Sequence, residues 1–214
     1  MNRLRILPVA FLLGLIMKRA TVILTFAVLL CGVSRAQAVA ITYTVSDTAS
    51  GTLGTTSFTN ALVTVSLSGD TANVFPLVPG LLENDIGTAT ITISGVGTAT
   101  FTDSMYVADN QTFSPPVAGI ADSSCGGCAG VVLGTFNSSA FGSYDLQSAI
   151  GPISGDVDFR TDLSYGTTAG LVNFSGAGVM STFTATTVPE PSSTFIFGSG
   201  LLALAGVRRR KLRA

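Results

Sequence analysis

The stretch Gly87-Thr88-Ala89-Thr90-Ile91-Thr92-Ile93 decides the fold. Apolar side chains at Ala89, Ile91 and Ile93 alternate with threonines at 88, 90 and 92, and a period of two sends successive side chains to opposite faces of an extended chain. β-Branched residues on both faces suit a pleated, half-buried surface. The same alternation recurs on either side. Ile41, Tyr43 and Val45 interleave with Thr42, Thr44 and Ser46, and Ala61, Val63, Val65 and Leu67 with Leu62, Thr64 and Ser66. Gly97-Thr98-Ala99-Thr100-Phe101-Thr102 echoes the first stretch across Gly95-Val96, a spacing too short for a solenoid repeat and natural for adjacent strands. Further strands are expected at Met105 to Ala108, Val131 to Phe136, Tyr144 to Ile150, Leu171 to Ser175 and Val179 to Thr186, with Gly, Asn, Asp and Pro between them. No longer window carries a helical apolar face. The expectation is an all-β domain, an antiparallel β-sandwich with jelly-roll or Greek-key connections.

Charge divides the chain into three. Five basic residues lie in the first 35 positions and five in the last seven. Between them Arg160 stands alone against eleven carboxylates, from Asp47 to Asp162, so the central part has a net charge of -10 although the whole chain carries only -1. A domain without lysine and with one arginine has nothing to neutralise a phosphate backbone, and no nucleic-acid partner is expected. At residues 39–187 it is long enough to bury a core without metal or disulfide staples.

The N-terminal part, residues 1–38, reads as a signal peptide. Lys18-Arg19 precede the apolar run Ala20 to Val33, and Ala36-Gln37-Ala38 supplies an A-x-A cleavage site between Ala36 and Ala38 and the mature chain. Met17 directly before the basic pair marks a possible true start. Cys31 is not expected to be acylated, because the residue before it is the bulky Leu30.

The C-terminal part, residues 188–214, has a different logic. Pro189-Glu190-Pro191 halts regular structure. Ser192 to Val207 then carry no charge over 16 residues, and Arg208-Arg209-Arg210-Lys211 follow. As a helix the uncharged run would extend roughly 24 Å, a little short of the hydrocarbon core, with snorkelling arginines closing the gap and remaining on the cytoplasmic side. Gly198, Gly200 and Gly206 and the lack of a polar stripe argue against a soluble helix. Val188-Pro189-Glu190-Pro191-Ser192, a glycine-containing apolar helix and a terminal arginine cluster together resemble the PEP-CTERM sorting signal of Gram-negative bacteria. That resemblance implies recognition of Pro189, Glu190 and Pro191 by an exosortase, a membrane protease-transpeptidase, after signal peptidase has acted. It also implies transient tethering at the inner membrane, then a cell-surface or extracellular location linked to exopolysaccharide or biofilm matrix. Residues Gly51 to Leu67 are weakly similar to segments of other PEP-CTERM proteins, which brings no activity with it.

Histidine is absent throughout and lysine from the central domain, which removes Ser-His-Asp and Cys-His relays, imidazole zinc sites and Schiff-base lysines. Carboxylates alone can hydrolyse glycosides, but the domain has no tryptophan and four tyrosines to stack sugars. A non-enzymatic protein with no cofactor is expected, with a calcium- or carbohydrate-binding module as the alternative and a carboxylate-dependent hydrolase behind it. Asp156, Asp158 and Asp162 are the candidate calcium ligands, although Arg160, Thr161 and Thr167 break the EF-hand pattern. Cys125-Gly126-Gly127-Cys128 in an exported protein reads as a local disulfide between Cys125 and Cys128 that pins a glycine-rich loop.

Overall fold

A computed structural model describes residues 38–123 and 130–188, all within the second of two compact units, Ala38–Ala214. Ala36, Cys125, Cys128, Pro189, Glu190, Pro191 and the Arg208 to Lys211 cluster lie outside the described residues, as do the signal peptide before Ala38 and the apolar C-terminal run. Among the described residues no helix is long and apolar enough to cross a membrane.

The domain is built almost wholly from antiparallel strands. Its spine is a long hairpin of β1 (Ala40–Leu53) and β2 (Thr56–Asp70), turned at Gly54-Thr55, where Gly54 sits at φ 56°. A single turn of 3-10 helix, capped by the Asp70 side chain on Ala72 N, leads to β3 (Val74–Val78) and β4 (Leu81–Asn84). Then come β5 (Gly87–Ile93), β6 (Gly97–Thr100), β7 (Met105–Asn110), β8 (Val117–Asp122) and β9 (Gly130–Phe136). A one-turn helix α1 (Ser138–Phe141), capped by Asn137, precedes β10 (Ile150–Asp158), β11 (Ser164–Thr167), β12 (Gly170–Ala177) and β13 (Met180–Val188).

Hydrogen bonding joins these strands into one sheet in the order β3-β4-β7-β8-β9-β10-β13-β1-β2-β5-β6, with β12 also on β1 and β11 on β12. The expected sandwich is therefore made from a single sheet that curls on itself. β13 pairs with β10 on one side and β1 on the other, carrying the ladder from one arm to the next. The arms meet face to face, because β2 touches β7 and β8, and β5 touches β7, without being their ladder neighbours. β1 takes part in two places by changing partner. Ala40 to Ser46 pair with β13, and Ala49 to Leu53 pair with β12, with a bulge at Ser50/Gly51. A Cβ on Gly51 would lie 2.0 Å from Asn173 O, so the bulge needs glycine there.

The alternation read from the sequence fills the space between the arms. Val45, Val65 and Ile91, side by side in register on β1, β2 and β5, are fully buried, as are Val107 and Ile120 from the opposite arm. Each such side chain contributes roughly 1.5–3 kcal/mol on leaving water. Phe183 at the centre packs edge-on against Phe141 and Tyr144, at centroid distances of 5.4 and 5.9 Å.

One expected strand is not there. Tyr144 to Ile150 forms a turn up to Ser148-Ala149, and β10 begins only at Ile150. Asp145 Oδ1 accepts from Gln147 N and Ser148 N, which folds the backbone back locally. Leu146 adopts φ 55° with its side chain fully buried. Its apolar periodicity records insertion into the core rather than strand pairing. Conversely β3, β4, β8, β11 and β10 beyond Ile150 escape the sequence reading; in β8, Val117-Ala118-Gly119-Ile120-Ala121-Asp122 is buried on both faces and shows no alternation.

Candidate functional site

On the face of the sheet turned away from the core, β4, β7, β8, β9 and β10 bring five residues into one cross-strand row. Glu83 opposes Ala108, Ala108 opposes Gly119, Gly119 opposes Gly134, and Gly134 opposes Asp158. The row has a carboxylate at each end and almost no side chain between. Along a flat sheet, four strand spacings put the end Cα atoms at most about 19 Å apart. Gly119 is required by close approach, whereas a side chain at Gly134 would meet only tight side-chain contacts. A Cβ on Gly119 would lie 2.6 Å from Gly134 Cα and 2.8 Å from Leu133 O, and one on Gly134 would lie 3.3 Å from Asp158 Cβ and 3.4 Å from Val117 Cγ2.

The flanking rows supply the banks. On one side stand Tyr106, Ala121 and Val131, and on the other Leu81, Asn110 and Val117. Phe113, on the connection from β7 to β8, is 51% exposed and meets Phe136 edge-on at 6.3 Å. Together these residues line an open, mainly apolar cleft of about 130 Å³, small beside the ~300–1,000 Å³ of most ligand pockets.

Burial dominates the electrostatics of the cleft. Desolvation raises the Glu83 carboxyl above its ordinary range, with the neighbouring negative charge of Asp85 adding to it. Asp158 is raised by desolvation against the opposing pull of Arg160 and a bond from the Phe159 backbone. The Tyr106 hydroxyl is raised by desolvation, then by Glu83 and Asp122. Arg160 does not enter as a free cation, because its guanidinium grips Asp162 with Nε at 2.8 Å and Nη2 at 2.6 Å.

The sequence-derived calcium candidates therefore separate. Asp156 and Asp158 share one face of β10, two positions apart, whereas Asp162 lies beyond the strand and faces Arg160. Among the described residues no three acidic or thiol side chains gather into a metal-holding group.

A second polar constellation lies inside the core. Tyr43 Oη donates to Leu146 O at 2.5 Å and accepts from Asn84 Nδ2 at 3.2 Å, and Asn84 Nδ2 also reaches Asp70 O. Burial pushes the Tyr43 hydroxyl up to about 12. Asp109 accepts from Gln111 Nε2 at 2.8 Å through Oδ2, and Gln111 Nε2 also donates to Tyr144 O. Asn84 Oδ1 and Asp109 Oδ1 have no hydrogen-bond partner although both residues are fully buried. Leu82 opposes Asp109 on the β4–β7 ladder, so Asn84 is its diagonal neighbour on the same face. Desolvation pushes the Asp109 carboxyl up to about 7, against the bond from Gln111 that lowers it.

The sequence reading missed Glu83, Tyr106, Asn110 and Phe113. Glu83, a lone acid in Leu81-Leu82-Glu83-Asn84, was the available signal, but its opposition to Asp158 arises from five-strand register.

Beyond the folded domain, residues 187–211 match the PEP-CTERM protein-sorting motif. No curated protein and no solved structure shows significant similarity to the chain. The motif marks an exported protein that an exosortase sorts at the membrane, and it takes up where the last strand ends. β13 runs to Val188, whose register partner is Ala40 at the start of β1.

Proposed function

We propose that this chain, a PEP-CTERM protein, is a non-enzymatic cell-surface or matrix protein whose folded product is the acidic β domain alone. Signal peptidase would cut after Ala38. The C-terminal helix would then hold the chain at the inner membrane until an exosortase cleaves near Pro189-Glu190-Pro191, releasing the domain to a surface or matrix linked to exopolysaccharide. The observation that carries this reading is the Ala40–Val188 pairing. The two processing points flank the two ends of one ladder. Both cuts would leave the sheet whole.

Intact-mass measurement of the protein from cells with and without the exosortase tests this. The expected product starts near Val39 and lacks everything beyond the neighbourhood of Pro189. Retention of Arg208, Arg209 and Arg210 in exosortase-positive cells would replace release by permanent anchoring.

The cleft favours a second reading, a secreted binding module, since aromatic banks and hydrogen-bond acceptors are the usual furniture of a carbohydrate site. A hydrolase draws less support. Glycosidase carboxyls face each other across one bond at roughly 5–9.5 Å, whereas Glu83 and Asp158 end a row that spans five strands. Calcium-dependent thermal stabilisation would favour the calcium form of the module.

A further inference from the structure

The cleft's charge pattern is specific enough to name the chemistry of a ligand. Its two ends carry carboxylates, its floor is Ala108 and Gly119, and its banks are apolar or aromatic apart from Asn110. Among the described residues Glu83 has no cationic partner. Arg160, which lies close enough to influence Asp158, is committed to Asp162. Two half-buried carboxylates joined by a trough without side chains thus form a negative-apolar-negative surface. We propose that this cleft binds a linear organic dication of the diamine or polyamine class, with one ammonium at Glu83, the other at Asp158, and the methylene spacer lying over Ala108 and Gly119.

The complementarity is physical at each point. Ammonium groups supply the carboxylates with a favourable partner where desolvation holds both groups above their ordinary range. The spacer covers apolar surface that would otherwise face water. Tyr106 stands two positions before Ala108 on the same face of β7, lines the cleft and lies close enough to Glu83 to feel its charge, so its ring could meet a cation there. Asn110, on the other bank, has its Oδ1 occupied by Thr112 N and Oγ1 and leaves its amide group for the rim. The register sets the length. A flat sheet gives up to about 19 Å between the end Cα atoms. Short diamines should therefore reach one end only.

The test is calorimetric titration of the full-length chain, purified in detergent at low salt, with linear α,ω-diamines from butane to dodecane, spermidine, and the monoamine of each length. The expected result is affinity that rises with spacer length to a maximum and then falls, diamines binding at least about tenfold tighter than the matched monoamine, a gain of one ion pair. Filling the trough at Gly134 risks misfolding because of the contacts of its Cβ. The isosteric Glu83→Gln and Asp158→Asn change charge alone, and each is expected to reduce diamine affinity to the monoamine level. Equal binding of monoamine and diamine, absence of a length optimum, or affinity unchanged by both variants would overturn the proposal. Preferential binding of a neutral oligosaccharide that is insensitive to Glu83→Gln would replace it with the carbohydrate reading. None of these outcomes depends on whether the tail is cleaved.

Discussion

Replacing Asp109 with asparagine should make the domain more stable at neutral pH and remove much of the pH dependence of its stability. Asp109 is fully buried, and one carboxyl oxygen has no partner. Gln111 donates to it while also reaching Tyr144 O, Asn84 is diagonal to it on β4, and among the described residues no cation pairs with it. Its carboxyl lies at about 7 in the folded protein against ~3.9 in an unfolded chain. Because the folded value is raised, the group's contribution is fully present below about pH 4 and is lost as pH rises through 7. A gap of roughly three pH units at 1.36 kcal/mol each amounts to about 4 kcal/mol withheld from the wild type above pH 7. Asparagine carries no charge and can accept from Gln111 as the carboxylate does. Urea unfolding of wild type and Asp109→Asn from pH 4 to 8 measures the difference. With an m-value of roughly 2–3 kcal/mol/M, the variant's midpoint should lie about 1–2 M higher at pH 8 and coincide with wild type at pH 4. A variant equal to or weaker than wild type at pH 8 would refute the assignment of Asp109 as a neutral buried acid.

Three further outcomes follow from the packing. Gly155→Ala places a Cβ 1.9 Å from Phe136 O and should cost at least about 3 kcal/mol by forcing β9 from β10, whereas Gly176→Ala, with nothing within 4 Å, should be neutral in the same thermal melt. Tyr43→Phe removes the bond to Leu146 O and an acceptor of Asn84, so denaturant unfolding should show a loss of about 1–3 kcal/mol. Ser181→Ala leaves Gly134 O and the buried Thr135 hydroxyl without the Ser181 bonds at 2.8 and 2.7 Å, and a loss of about 1–2 kcal/mol is expected, with Ser181→Thr sparing part of it.

Legibility in the sequence varied with the reach of the interaction. Strands that bury one face announced themselves, as Ile41, Tyr43 and Val45 do. β8 is buried on both faces and did not. The stretch from Tyr144 to Ile150 misled because Leu146 reaches the core from a turn held by Asp145. Asp156 and Asp158 read as part of an acidic loop with Asp162, but the strand extends through them, leaving Asp162 beyond it to pair with Arg160. The cleft was invisible from the sequence. Its floor joins Ala108 and Gly119, each unremarkable where it stands in the chain.

The address and the class are both local properties of the chain. The sorting motif is a contiguous string recognised by a protease, and the Thr-rich period of two is a local property of an extended chain, so neither needs a fold to be read. Only the tertiary structure decided that the sandwich is one curled sheet, because that depends on β13 pairing with both β1 and β10. It also decided that Glu83 and Asp158 end a common row, because cross-strand register relates residues 75 positions apart in the chain. That register is set by burial of the opposite face: a one-residue slip in any of five strands would turn the core outward and dissolve the cleft with it.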